Sequence, residues 1–127
     1  MRRLPVLLLS WVVAAAGIAA PLSPASRTEI DGLLSRLEVS ACDFNRNGSW
    51  YKAADAKAHL LSKLRYLEDR GMVQSTEQFI ELAASTSSLS GQAYLVKCAG
   101  GAPLPSRSWL MSQLQLLRSA ASATKAP

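Results

Sequence analysis

Lys52, Asp55, His59, Lys63, Tyr66 and Arg70 recur at spacings of three and four residues. On a helix that spacing gathers all six into one sector of the surface. The set holds three cations, an imidazole, a phenol and one carboxylate. A face of this kind can take a carboxylate, a phosphate or an acidic protein segment, and His59 would make the binding sensitive to pH. Arg46, Asn47 and Trp50 come from the segment just upstream and fall at the N-terminal end of the stripe. A solvated face of an amphipathic helix, with Asp55 and His59 paired one turn apart, would look the same. So would a helix with His59 buried and satisfied. The sequence leaves these readings open.

A second stretch invites a catalytic reading. In "SSLSGQAYLVKC", Ser87 to Cys98, three serines and a glycine run into an apolar segment. A serine here would need His59 as base and Asp55 as orienter. No G-x-S-x-G elbow is present, and a chain this short leaves little room for a substrate cleft. "SWYK" at 49–52 matches S-x-x-K, but its companions S-D-N and K-T-G are missing. The favoured reading is a structural joint. Ser88 and Ser90 hydrogen-bond the backbone where helix gives way to strand, and Gly91 supplies an unusual φ. No catalytic residue is assigned, and a small Ser/His hydrolase stays as the competing class.

Cys42 and Cys98 are the two cysteines. They are far apart in sequence and do not form C-x-x-C. His59 is the one histidine, so no metal-ligand cluster and no cofactor is expected. In an oxidising compartment the two cysteines form one disulfide, which stabilises by about 4 kcal/mol through loop closure.

These residues need elements to hold them. The periodic apolar positions predict four helices. The first opens near Thr28, with Asp31 in the weak capping-box position, and buries Ile30, Leu33, Leu34, Leu37 and Ala41. The second runs about from Ala53 to Arg70, with Ala53, Ala56, Leu60, Leu64 and Leu67 inward and Gly71 as its C′ residue. Lys57 interrupts its core side and is expected to snorkel past Trp50 or mark an interface. The third follows Ser75 and Gln78, a capping box, and points Phe79, Ile80, Leu82 and Ala83 inward. The fourth begins near Ser106 with Trp109, Leu110, Leu114 and Leu117 inward. Asn47-Gly48 between Phe44 and Trp50-Tyr51 signals a hairpin turn. Ala93 to Cys98 reads as a short strand that pairs near Phe44 or Trp50. Trp50 and Trp109 are expected as core anchors. The fold class is therefore mainly α: about four helices with a small β-hairpin-like element and one disulfide.

The first residues read as an address. Arg2 and Arg3 precede an apolar run, Leu4 to Ala20, that is short for a membrane span and passes into "PLSPAS". This is the layout of a cleavable secretory signal over residues 1–25, cut after Ala19 or after Ala25, and no transmembrane segment is expected once it is removed. The rest of the chain reads as one compact domain over 26–120 and a disordered tail over 121–127. Two of the five net positive charges leave with the signal. The remainder is too weakly basic for nucleic acid.

Four blocks resemble a known family. "CDFNRNGSWY", "AHLLSKL", "TEQFIELAASTSSLSGQAYLVKC" and "SWLMSQL" are similar, in order and spacing, to the YfeK-like family of small exported bacterial proteins, a domain of unknown function. The likeness spans about Glu29 to Leu117. It implies a compact, disulfide-bearing helical domain in the periplasm or secreted, and it supplies no activity and no catalytic residue. The reading is a non-enzymatic binding or accessory module of the bacterial envelope, whose partner is an anionic envelope ligand or a protein. The competing classes are the hydrolase and an inhibitor or immunity-type protein that acts on an envelope enzyme through the 44–50 loop.

Overall fold

The computed structural model describes residues 2–6, 8, 10 and 21–125. Most of the apolar core of the expected signal, residues 11–20, lies outside the described residues, as do the last two residues of the tail. No helix among the described residues is long and apolar enough to cross a membrane.

Helix α1 spans Pro24–Val39. Ser23 is its N-cap, accepting from the Ser26 N–H at 3.1 Å, and Pro24 follows at the first helical position. Thr28 is thus not the cap that its spacing to Asp31 suggests. It lies inside the helix and donates to the Pro24 carbonyl. Leu22, ahead of the cap, is buried. Helix α1 and the contacts that cap it therefore begin before residue 26. Ile30, Leu33, Leu34 and Leu37 are buried as expected, whereas Ala41 is exposed beyond the helix.

Strands β1 (Asp43–Arg46) and β2 (Ser49–Lys52) form a hairpin closed by Asn47-Gly48. Both turn residues take positive φ, 52° and 82°, the type I′ requirement that glycine and asparagine meet at low steric cost. Helix α2 (Ala53–Asp69) follows directly and ends at Arg70. It buries Ala53, Ala56, Leu60, Leu64 and Leu67. Lys57 pairs with Glu38 of α1 rather than snorkelling past Trp50. Helix α3 (Thr76–Ala83) is capped by the Ser75 hydroxyl, which accepts from Gln78 N–H; the Gln78 side chain in turn accepts from the Gln74 N–H, one residue earlier than a strict capping box. Phe79, Ile80 and Ala83 are buried, but Leu82 is 41% exposed.

Strand β3 (Leu95–Lys97) pairs antiparallel with β1, Val96 opposite Phe44, and β4 (Leu104–Pro105) pairs with β3. The hairpin thus grows into a four-stranded antiparallel sheet of order β2-β1-β3-β4. Helix α4 (Ser106–Lys125) buries Leu110 and Leu114, while Trp109 and Leu117 are partly covered. It continues as helix to Lys125, into the segment expected as a disordered tail, because "SAASATK" is rich in alanine, the best helix former. Trp50 departs from its expected place as a core anchor: it stands on edge strand β2 and is 45% exposed.

Cys42 and Cys98 are bonded across a separation of 56 residues. The bridge joins the start of β1 to the end of β3, so it locks the two central strands in register. On the far side, Glu29 of α1 accepts from Thr76 of α3 at 2.7 Å and from Arg118 of α4 at 2.8 Å, and Arg118 also pairs with Glu77. Three helices meet at that carboxylate.

Candidate functional site

Helical spacing places His59 and Lys63 one turn apart on α2, facing the sheet end of the fold. β1 delivers Arg46 to the same point. Tyr94 arrives from the segment leading into β3. Its main chain is pinned on both sides: its N–H donates to Ser85 and its carbonyl accepts from Ser106. Its ring is buried against Phe44, 5.1 Å between centroids, and meets the His59 ring edge-on.

The polar heads of these four residues converge. Arg46 Nη1 stands 2.6 Å from His59 Nδ1. A guanidinium only donates, and the same Nη1 also lies 3.2 Å from His59 Nε2, so the cation faces both ring nitrogens. Nε2 is 3.2 Å from Tyr94 Oη and Lys63 Nζ is 3.1 Å from it. The phenol oxygen accepts from Lys63 and lies within hydrogen-bond reach of the imidazole. Lys63 Nζ also donates to the Thr86 carbonyl at 3.0 Å.

The electrostatics follow from this crowding. Burial, then the charges of Arg46 and Lys63, push His59 down to about 4. In the free chain the imidazole is therefore held neutral near pH 7. Burial, helped by Arg46, lowers Lys63. Burial raises Tyr94 against the opposing pull of Arg46. Neither Arg46 nor Lys63 has a carboxylate within 4 Å among the described residues.

A groove of about 400 Å³ opens on this cluster. Its polar lining is Arg46, Asn47, His59, Ser62, Lys63, Ser87, Ser88 and the Tyr94 hydroxyl; its apolar lining is Leu67, Leu82, Leu89 and the Tyr66 ring. No acidic residue lines it. The loop over 87–91 forms one wall. Ser87, which is buried, accepts from the Leu89 and Ser90 N–H groups, and its carbonyl accepts from Gly91. Gly91 takes φ 72°, as the joint reading requires. Ser90 accepts from the Gln92 N–H and donates to Asn47 Oδ1 at 2.6 Å, which ties the loop to the hairpin turn. The backbone role expected of Ser88 belongs to Ser87; Ser88 lies exposed on the groove wall.

Of the residues singled out in sequence, Arg46, Asn47, His59, Lys63, Tyr66 and Ser88 line one groove. Trp50, Lys52, Asp55, Arg70, Ser90 and Gly91 do not. Asp55 shares a second cavity with Arg46, His59 and Tyr51, on the other side of the Arg46–His59 contact. The Asp55–His59 hydrogen bond is not formed, because His59 turns both nitrogens to Arg46 and Tyr94. Lys52 lies beside Glu38 and Asp43. Arg70 stacks 3.5 Å over the Tyr66 ring, outside the groove. Leu82 was expected in the core, and Tyr94 and Leu89 were not singled out. A tyrosine inside an apolar strand was the available signal for Tyr94, since a buried phenol needs partners. A lone leucine among serines was the signal for Leu89. No group of three or more His, Cys, Asp or Glu residues placed to hold a metal occurs among the described residues.

No curated protein and no solved structure matches the chain. Residues 24–118, from the first turn of α1 to Arg118, match a family described as of unknown function, and the chain belongs to that family, DUF5329.

Proposed function

We propose that this chain is a non-enzymatic module that binds an anionic ligand in the groove between α2, Tyr94 and the 87–91 loop. One observation carries the reading: Arg46 and Lys63 are partly withdrawn from water, face the same groove and have no carboxylate partner among the described residues. Two such cations repel each other, and an anion between them relieves that repulsion. The Tyr94 hydroxyl, held by Lys63 and beside His59, adds a neutral polar group to the same groove.

The hydrolase reading loses support from the same geometry. His59 bonds Arg46 and Tyr94 rather than any serine, and an imidazole held at about 4 is a weak base. The inhibitor reading needs a free hairpin loop. Here Asn47 is tied to Ser90 and Arg46 to His59. The leader-like N-terminus, the disulfide and the resemblance to YfeK-like proteins support export to the bacterial envelope, periplasmic or secreted, as the place of action.

The test is a thermal-shift screen of the oxidised protein against phosphate, acetate, peptidoglycan fragments and phospholipid headgroups at fixed ionic strength. A ligand held tenfold above its Kd stabilises the native state by about 1.4 kcal/mol, a shift of several degrees for a domain of this size. The shift is expected to vanish in Arg46→Ala and Lys63→Ala. A shift that survives both substitutions places the ligand elsewhere.

A further inference from the structure

The groove has a second half that simple anion binding does not use. Leu67 forms an apolar floor, and Tyr66, Leu82 and Leu89 stand at its rim, 56%, 41% and 94% exposed. Leu89 is the one apolar residue between Thr86 and Gly91. Its loop is not slack: Ser87 closes it from below and Ser90 fastens it to Asn47. A leucine held in water on a fastened loop adds nothing to the core, and it faces the same cavity as the cations. Apolar side chains and a few convergent polar groups lining one cavity are the pattern of a small-molecule site.

We infer that the occupant is a single-chain anionic amphiphile, its carboxylate or phosphate head between Arg46, Lys63 and the Tyr94 hydroxyl and its alkyl chain laid over Leu67 against Leu82 and Leu89. This rests on the anion-binding reading above and adds the apolar half of the ligand. Charge selects the head: the lining carries cations and no acid. The volume, at the low end for ligand cavities, limits the tail to a chain of moderate length.

The experiment is isothermal titration of the full, oxidised chain with inorganic phosphate, then n-alkanoates from acetate to decanoate, octyl phosphate and octanol, all below their micelle concentrations. Affinity is expected to climb by about fourfold for each methylene that enters the groove and to level off once the chain outgrows it. Leu89→Ser and Leu82→Ser, both at exposed positions, should flatten that climb. Lys63→Met should weaken every anion. Octanoate against octyl phosphate identifies the head group. Equal affinity for acetate and octanoate overturns the amphiphile and leaves the anion site standing. Equal affinity for octanol and octanoate, or no binding by any anion, overturns both readings. Uptake only from vesicles of anionic phospholipid, with no binding of the monomeric amphiphiles, makes the rim a membrane-contact surface and also overturns the inference.

Discussion

Arg46 Nη1 lies 2.6 Å from His59 Nδ1, so a permanent cation donates to the histidine's free lone pair. Protonating His59 would break that bond and set two cations together, with Lys63 one turn away on α2, Tyr94 offering its oxygen from the β3 side and Asp55 across the second cavity. His59 should therefore titrate near 4 when followed by NMR. Arg46→Ala should raise it only part of the way to 6.5, because burial is the larger cause. The unfolded chain takes up the proton near 6.5 and the folded chain only near 4, so stability is complete above the first value and falls as pH drops toward the second. Partial exposure of the ring screens the effect to about 1 kcal/mol. Urea midpoints between pH 7 and pH 4 should drop more steeply for the native sequence than for His59→Gln. Identical slopes would mean that the contact does not hold the ring neutral.

The helices were legible because burial along them follows the 3.6-residue period, as Leu60, Leu64 and Leu67 show. The Asn47-Gly48 turn was legible because its chemistry is local. What the sequence concealed was tertiary. One helix face appeared to be the site, but of that face only His59, Lys63 and Tyr66 reach the groove; Arg46 and Tyr94 come from separate segments that the sheet register brings together. Lys52 and Asp55 share the face by angle and miss the groove, since it opens beside the later turns of α2. Strand β4 was missed because two residues ending in proline carry no strand pattern.

The disulfide should matter as much as any packing contact. It joins the chain ahead of β1 to the end of β3 over 56 residues, and loop closure of that length is worth about 4 kcal/mol. That is a large share of the stability of a domain of this size. The Cys42→Ser, Cys98→Ser double variant should unfold at a much lower urea concentration, and dithiothreitol should shift the native sequence to the same midpoint. Equal midpoints for oxidised and reduced protein would show that the sheet holds its register without the bridge.

Glu29 joins three helices through one carboxylate, and the hydrogen bond from Arg118 holds its pKa below the ordinary range. A lowered carboxylate stabilises above its unfolded value and loses that contribution as pH falls. Thr76 is fully buried and donates to Glu29, so Thr76→Val should cost about 1 kcal/mol. Arg118 is half exposed, and Arg118→Ala should cost less. Because both partners act through Glu29, a double-mutant cycle in denaturant should give a coupling of about 0.5 kcal/mol or more. Strict additivity would mean that the two bonds are independent.

The start of the folded chain bears on where a leader can be cut. Cleavage after Ala25 would remove buried Leu22, the Ser23 cap and Pro24 at the first helical position. Losing the cap costs about 1 kcal/mol, and re-exposing a leucine costs about 2 kcal/mol more. Cleavage after Ala19 keeps all three. If the leader-like segment is removed, the product is therefore expected to begin at Ala20, as read by intact mass or N-terminal sequencing. A chain starting at Ser26 should unfold at a clearly lower urea concentration than one starting at Ala20, whereas a Leu22→Ala change should account for much of that difference with the cap still in place. Equal stability of the two chains would show that α1 draws nothing from the residues ahead of it, and the cut after Ala25 would then stand as the better reading.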